Sequence, residues 1–354
     1  MPSVLENQAR WTEHPWEREG HEWSPGQAAA GGEMLWWRGL LPRIATHLPA
    51  ASILEIGPGF GRWTQHLLHQ CDQLTAIDLT ERCVEHCRVK FASHPGFTAW
   101  TNDGESLDVV PDESVDFVFS FDSLVHAEAP VLRSYLRQLA RKLRPGGTGF
   151  IHHSNLRALT GPTGTVPPWL TRTNWRGQTM SARLFREYCA EAGLRCQTQE
   201  VINWISRSQR ADRHRPKAAG LPLTDVMSTF ERPGSAGRPF AGCRVYVNPG
   251  FADEWRQIVL LTSLYGRQDE APRTHKVPPP AGARPSLAAR VNDKATFLAD
   301  YWGSYARDHA AAWRASRREP IVNALRRGRC PDCGAAMSAR VCDSCRVEFV
   351  TDRR

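Results

Sequence analysis

The stretch that most constrains this chain is Ile53-Leu54-Glu55-Ile56-Gly57-Pro58-Gly59-Phe60-Gly61-Arg62-Trp63-Thr64, an apolar run that enters a glycine-rich turn and then a helical pattern. Gly57 and Gly59 permit positive φ and leave no Cβ between the backbone and a ligand, while Gly61 lets the following helix start close against a sheet. The spacing is G-x-G-x-G, not the G-x-G-x-x-G of dinucleotide folds, so a pyrophosphate is not its natural guest.

Further landmarks follow in order. Leu74-Thr75-Ala76-Ile77-Asp78 reads as a second strand ending in an acid, and Asn102-Asp103-Gly104 follows a third. Val115-Asp116-Phe117-Val118-Phe119-Ser120 is a continuous apolar strand of the buried parallel type, and Leu143-Arg144-Pro145-Gly146-Gly147 is a turn before a fifth strand. Together these stretches resemble the motifs of class I S-adenosylmethionine-dependent methyltransferases. The resemblance implies an α/β, Rossmann-like fold with helices on both faces of a seven-stranded, mostly parallel sheet whose last strand runs antiparallel. It also implies that Glu55, Gly57, Gly59 and Gly61 hold the methionine moiety of S-adenosylmethionine, Asp78 the ribose, Asp103 with Gly104 the adenine, and Ser120 the backbone side of the amino acid. A non-catalytic cofactor-binding adaptor is the alternative that would need a damaged site, and none of these landmarks looks damaged.

The rest of the chain divides by composition. Residues 1–30 carry Trp11, His14, Trp16, His21 and Trp23 and are broken by Pro15, Pro25 and Gly26. This predicts no regular amphipathic helix but an arm, either a lid across the sheet's carboxyl edge or a segment packed away from it. Apolar positions at helical intervals over 31–48 predict a helix kinked at Pro42, and 80–92 a helix capped by Thr80 that buries Cys83, Val84, Cys87 and Phe91. The methyltransferase-like body extends over 49–265, with strands near 194–205 and 223–230 and a short strand then a helix over 245–265. A proline-rich linker (266–290), a basic helical segment (291–328) and a cysteine-rich tail (329–354) complete it.

Methyl transfer to a hydroxyl needs an acceptor held in line and a group that removes a proton. His153, on the fifth strand with His152, Ser154 and Asn155, is the first choice of base, and His126, in the loop after the fourth strand, the second. Asp122 stands where some sugar and catechol enzymes of the family bind Mg²⁺. The fifth strand offers histidines and an asparagine instead of a second acid, so magnesium is not expected.

In the tail, Cys330-x2-Cys333-x8-Cys342-x2-Cys345 has the spacing of a small zinc ribbon, with every ligand position filled by thiolate and none left for water. The other six of the ten cysteines are scattered, which fits a reducing compartment better than a disulfide framework. No run reaches membrane-span length and the amino terminus lacks a basic-then-apolar pattern, so a cytoplasmic protein without a membrane span is expected. Residues 254–354 hold 18 basic against 11 acidic side chains, leaving 27 against 26 before them. A basic tail fits contact with nucleic acid or protein, or simply a solvated surface. The motif run 119–128 with 150–156 resembles methyltransferases of bacterial polysaccharide and secondary-metabolite biosynthesis. It points to O-methylation of a sugar or other hydroxylated small molecule, with RNA or protein methylation through the basic tail as the alternative.

Overall fold

The computed structural model describes residues 2–24, 29–160, 175–203, 223–234, 242–248, 251, 324–325, 327–338 and 340–351. The 266–290 linker, nearly all of the 291–328 segment and the helix expected after Asp253 lie outside them.

The central strands are those whose sequences are almost wholly apolar. In β4 (Val115–Ser120) every side chain except Asp116 is buried, and β1 (Ala50–Ile56) buries its last four residues. They pair in parallel, Ile53 opposite Phe117, and β2 (Cys71–Asp78) and β3 (Phe97–Thr101) add in parallel on the other side of β1. β5 (Leu143–Ser154) flanks β4, and its register jumps from Val115–Leu143 to Phe117–Thr148. The predicted Arg144-to-Gly147 turn is therefore an irregularity inside the strand, with Gly146 at φ 85°. β7 (Asp225–Glu231) runs antiparallel between β5 and β6 (Arg195–Ile202).

That arrangement accounts for seven strands, but among the described residues the sheet has ten, in the order β3-β2-β1-β4-β5-β7-β6-β8-β10-β9. β8 (Cys243–Asn248) pairs in parallel with β6, and β10 (Val347–Thr351) of the tail pairs in parallel with β8 and antiparallel with β9 (Val341–Cys342). The seven-stranded expectation fails because β8 and the tail carry an apolar face: Val245, Val247, Val347, Phe349, Cys330 and Cys342 are buried in the same core as the body. The tail thus continues the body's sheet.

Helices cover both faces. α6 (Ala129–Lys142) and α7 (Ala182–Glu191) cover one core, and α2 (Ala29–Leu35), α3 (Leu41–Ile44) and α4 (Thr64–Leu67) the other. Pro42 falls in the first turn of α3, where a missing N–H costs little, and a π turn over Trp36–Leu40 leads into it. In α5 (Glu81–Lys90) Thr80 sits at the N-cap, but its hydroxyl turns to Asp78 Oδ1 at 3.1 Å. No helix among the described residues is long and apolar enough to cross a membrane.

The arm departs from its expectation, because α1 (Val4–Glu13) is a regular helix. Ser3 and Glu6 form a reciprocal capping box, Ser3 N to Glu6 Oε2 at 2.7 Å and Glu6 N to Ser3 Oγ at 3.2 Å. Pro15 lies beyond its last residue and so does not oppose it.

Candidate active site

A cavity of about 390 Å³ opens at the carboxyl ends of β1, β2 and β4. Its floor is the glycine turn, with φ 74° at Gly57 and 57° at Gly59. A Cβ on Gly57 would lie 1.8 Å from Ser123 Oγ, and one on Gly59 2.7 Å from the Trp16 ring, so both positions accept only hydrogen. Gly61 serves packing instead: a Cβ there would meet the Phe91 ring at 2.5 Å.

Asp78 ends β2 at the cavity. Its Oδ2 accepts from Gly59 N at 3.1 Å and its Oδ1 from Thr80 N at 2.9 Å, which aims the carboxylate at the turn. Burial pushes its pKa up, against these donors. Asn102 and Gly104 line the same wall, and Tyr135 holds the Asn102 amide at 3.0 Å. Asp103 is absent from the lining because its Oδ1 turns back to Glu105 N and Ser106 N at 2.9 and 2.7 Å. The neighbouring Asn102 lines the cavity, its amide donating to Ser106 O and Tyr135 Oη and its Oδ1 accepting from Gly104 N.

Glu55 and Ser120 also lie outside the lining. Glu55 is fully buried, accepts from Thr64 Oγ1 at 2.6 Å, and is raised by burial to about pKa 8. Ser120 donates to Ile56 O at 2.8 Å and so clips β4 to β1. Both brace the turn from beneath.

The two histidines exchange rank. His153 points to the opposite face of β5, where its ring stacks 4.5 Å from Phe185 and its Nε2 lies 2.8 Å from Ser228 Oγ. Burial depresses it to about pKa 3. It does not line the cavity, so the expectation that it is the base is corrected: alternate strand residues face opposite ways, and this one faces the α7 core. His126 does line the cavity. Its Nδ1 contacts the Trp175 carbonyl, which fixes Nδ1 as the N–H and leaves the Nε2 lone pair. Burial, and next the positive Arg176, depress it to about pKa 4, so the ring is neutral at physiological pH.

Asp122 also lines the cavity, held at φ 63°. Its Oδ2 meets the Arg62 guanidinium at 2.7 Å and its Oδ1 stands 3.3 Å from His152 Nδ1. Burial works against its charge, but His152 and Arg62 hold its carboxyl below the usual range.

The sequence left the arm as a lid or as a segment packed away, and its Asn7, Trp11, Trp16 and Trp23 line the cavity. Asn7 of α1 donates to His126 O at 3.0 Å and accepts from Trp175 Nε1 at 2.7 Å, tying the arm to two walls at once. Trp11 lies 4.9 Å from the His126 ring, Trp16 stacks on Phe60 at 4.8 Å, and Arg82 of α5 grips the Thr12 and His14 carbonyls at 3.0 and 2.8 Å. The tryptophan content of the arm was the available signal; the asparagine carried none.

In the tail, the Sγ atoms of Cys330, Cys333, Cys342 and Cys345 all lie within 4.8 Å of one another. The Cys330–Cys345 and Cys333–Cys342 separations are 3.9 and 3.6 Å. A tetrahedron with metal–sulfur bonds of about 2.3 Å has an edge of about 3.8 Å, whereas a disulfide needs about 2.05 Å. The knuckle is keyed to α7: Arg183 donates to Asp332 O at 2.7 Å and Arg186 pairs with the Asp332 carboxylate.

Residues 53–147 match the family model described as a methyltransferase domain. Over 84 residues the chain is 40% identical to ribosomal RNA small subunit methyltransferase A of Geobacter sulfurreducens, covering 23% of this chain and 30% of that protein. Over 113 residues it is 32% identical to the biotin biosynthesis bifunctional protein BioHC of Cellvibrio japonicus, covering 32% and 21%. The chain thus spans less than a third of the length of these relatives. A solved structure of geranyl diphosphate C-methyltransferase from Streptomyces coelicolor superposes with a TM-score of 0.49 at 11% identity, over 66% of this chain and 99% of that one.

Proposed function

We propose that this protein is an S-adenosylmethionine-dependent methyltransferase that methylates a hydroxyl of a sugar or other small molecule. The observation that carries the reading is what the cavity is built from: its floor is the Gly57–Gly59 turn and Asp78, and α1 with Trp11 and Trp16 lies over it. A volume of about 390 Å³ under a helix suits a cofactor and a small acceptor, not an RNA or a folded protein.

The residues present fit the cofactor. Gly57 and Gly59 bring bare backbone to the cavity, Asp78 offers a carboxylate suited to a diol, and Asn102 with Gly104 bounds the wall suited to an adenine. When bound, S-adenosylmethionine supplies an electrophilic methyl group on a sulfonium. The protein's share is positioning and proton handling. His126 presents a neutral Nε2 as proton acceptor while the Trp175 carbonyl holds its tautomer. Asp122 stays ionised at the cavity wall, beside Arg62.

The tail cysteines fit a structural Zn²⁺, since four thiolates at tetrahedral spacing leave no open position for a substrate. Their attachment to α7 and β8 makes the metal a brace for the sheet edge.

The reading is tested by following labelled methyl groups from S-adenosylmethionine into cell lysate, fractionated into small molecules and glycans, protein, and RNA. Label in the first fraction, lost on His126→Asn while cofactor binding persists, is expected. Label in RNA or protein would replace the small-molecule reading.

A further inference from the structure

Five ionisable side chains form a row behind the cavity, and its members Asp122 and Arg176 reach the cavity lining. Arg62 Nη2 is 2.7 Å from Asp122 Oδ2, and Asp122 Oδ1 is 3.3 Å from His152 Nδ1. His152 Nε2 is 3.4 Å from Asp225 Oδ2, and Asp225 receives Arg176 Nε and Nη2 at 2.5 and 2.7 Å. Four of the five are buried, His152 and Asp225 at 0% exposure, and Asp122 keeps 14% of its side chain exposed.

The row joins parts that are far apart in sequence. Arg62 reaches Ser24 Oγ of the arm at 3.4 Å. Asp122 belongs to the loop after β4, His152 to β5 and Asp225 to β7. Arg176 lies beside Gly177, whose N–H donates to Val125 O at 2.9 Å. Asp122 and Arg176 both line the cavity, so the row connects two of its charged walls. His152 is the middle member, stacked 4.5 Å from the Phe121 ring.

A neutral imidazole has one N–H and can serve one carboxylate; an imidazolium serves both. Among the described residues, Arg62 and Arg176 pair with the two carboxylates, His126 feels both carboxylates, and His153 on the far face of β5 feels His152 itself. Burial opposes charge on the ring, but the two carboxylates outweigh it and raise its pKa. A competing arrangement exists, because Asp122 N also stands 3.3 Å from His152 Nδ1 and would donate to a neutral ring.

We propose that His152 is a positioning residue, an imidazolium that donates to Asp122 and Asp225 together and thereby sets Asp122 and Arg176 in place for ligand binding. Its ligand-binding half rests on reading the cavity as the cofactor site, while the bridge itself does not.

The test has two arms. In the full chain labelled with ¹⁵N-histidine, the His152 ring is identified by the resonances lost in His152→Gln or His152→Asn. Protons on both ring nitrogens at neutral pH are expected; a neutral ring with a bare Nδ1 would overturn the bridge. The second arm measures S-adenosylhomocysteine affinity by titration calorimetry between about pH 6 and 9. Wild-type affinity is expected to fall about tenfold toward alkaline pH, with the midpoint at which the ring loses its proton; His152→Gln should bind about tenfold more weakly at neutral pH and show no such limb. A variant with wild-type affinity and the same alkaline limb would overturn the positioning role. Absence of binding by the wild type would overturn the cofactor reading and the ligand half with it, while the ring nitrogens decide the bridge independently.

Discussion

Replacing Asp78 by asparagine keeps the size and shape of the side chain and removes its charge. In the native site one carboxylate oxygen accepts from Gly59 N at 3.1 Å, and the other from Thr80 N and Thr80 Oγ1 at 2.9 and 3.1 Å. The amide can satisfy only one side, because its NH₂ would face either the Gly59 N–H or the Thr80 donors. One buried donor left unpaired costs about 1–3 kcal/mol of stability. A hydrogen bond from a ligand hydroxyl to a carboxylate contributes about 1.5–3 kcal/mol, so cofactor affinity should drop roughly tenfold to a hundredfold. Titration calorimetry with S-adenosylhomocysteine measures the second quantity and urea unfolding the first. An Asp78→Asn protein that is less stable but binds within twofold of wild type would refute the assignment of this carboxylate to the ligand, leaving it only a structural role.

Glu55 gives a pH signature: burial raises its folded pKa to about 8, above the unfolded value, so its contribution is fully present below about pH 4.5 and is lost as pH rises through about 8. Urea midpoints should therefore decline over that window by up to about 1.4 kcal/mol per pH unit from this group, and Glu55→Gln should flatten the decline; an unchanged slope would show Glu55 ionised. His153→Ala should cost about 2–4 kcal/mol by removing the Phe185 stack and the Ser228 bond, with cofactor affinity unchanged, and weaker binding would return His153 to the site. Metal analysis should find one zinc per chain. Its removal by a chelator should expose the Val245 and Val247 amides of β8 to hydrogen exchange, since β10 pairs there; protected amides in the metal-free chain would contradict the bracing role.

The glycine turn and the acid at the end of β2 were legible because their constraints are local. A glycine turn after an apolar strand and an acid closing the next strand state their geometry within a few residues. What failed was orientation. The pair His152-His153 announces that one ring faces each side of β5, but Phe121 and Phe185, from other elements, decide which. Asn102-Asp103-Gly104 marks the right turn, yet the aspartate is spent on Glu105 and Ser106 while the asparagine lines the cavity. The arm's helix carried a local signal, the Ser3–Glu6 capping box, that its tryptophans and prolines obscured. The extra strands could not be read at all as part of one sheet. β8 and β10 are separated by about a hundred residues, and their pairing follows from a shared buried face, not from either sequence alone.

The most direct measurement is a crystal structure of the full, zinc-loaded chain with S-adenosylhomocysteine. The account predicts the ligand under α1, its ribose hydroxyls on the Asp78 carboxylate, its adenine against Asn102 and Gly104, and its sulfur directed toward the loop that carries Asp122 and His126. A ligand bound elsewhere, or a cavity that stays empty at saturating concentration, would contradict it.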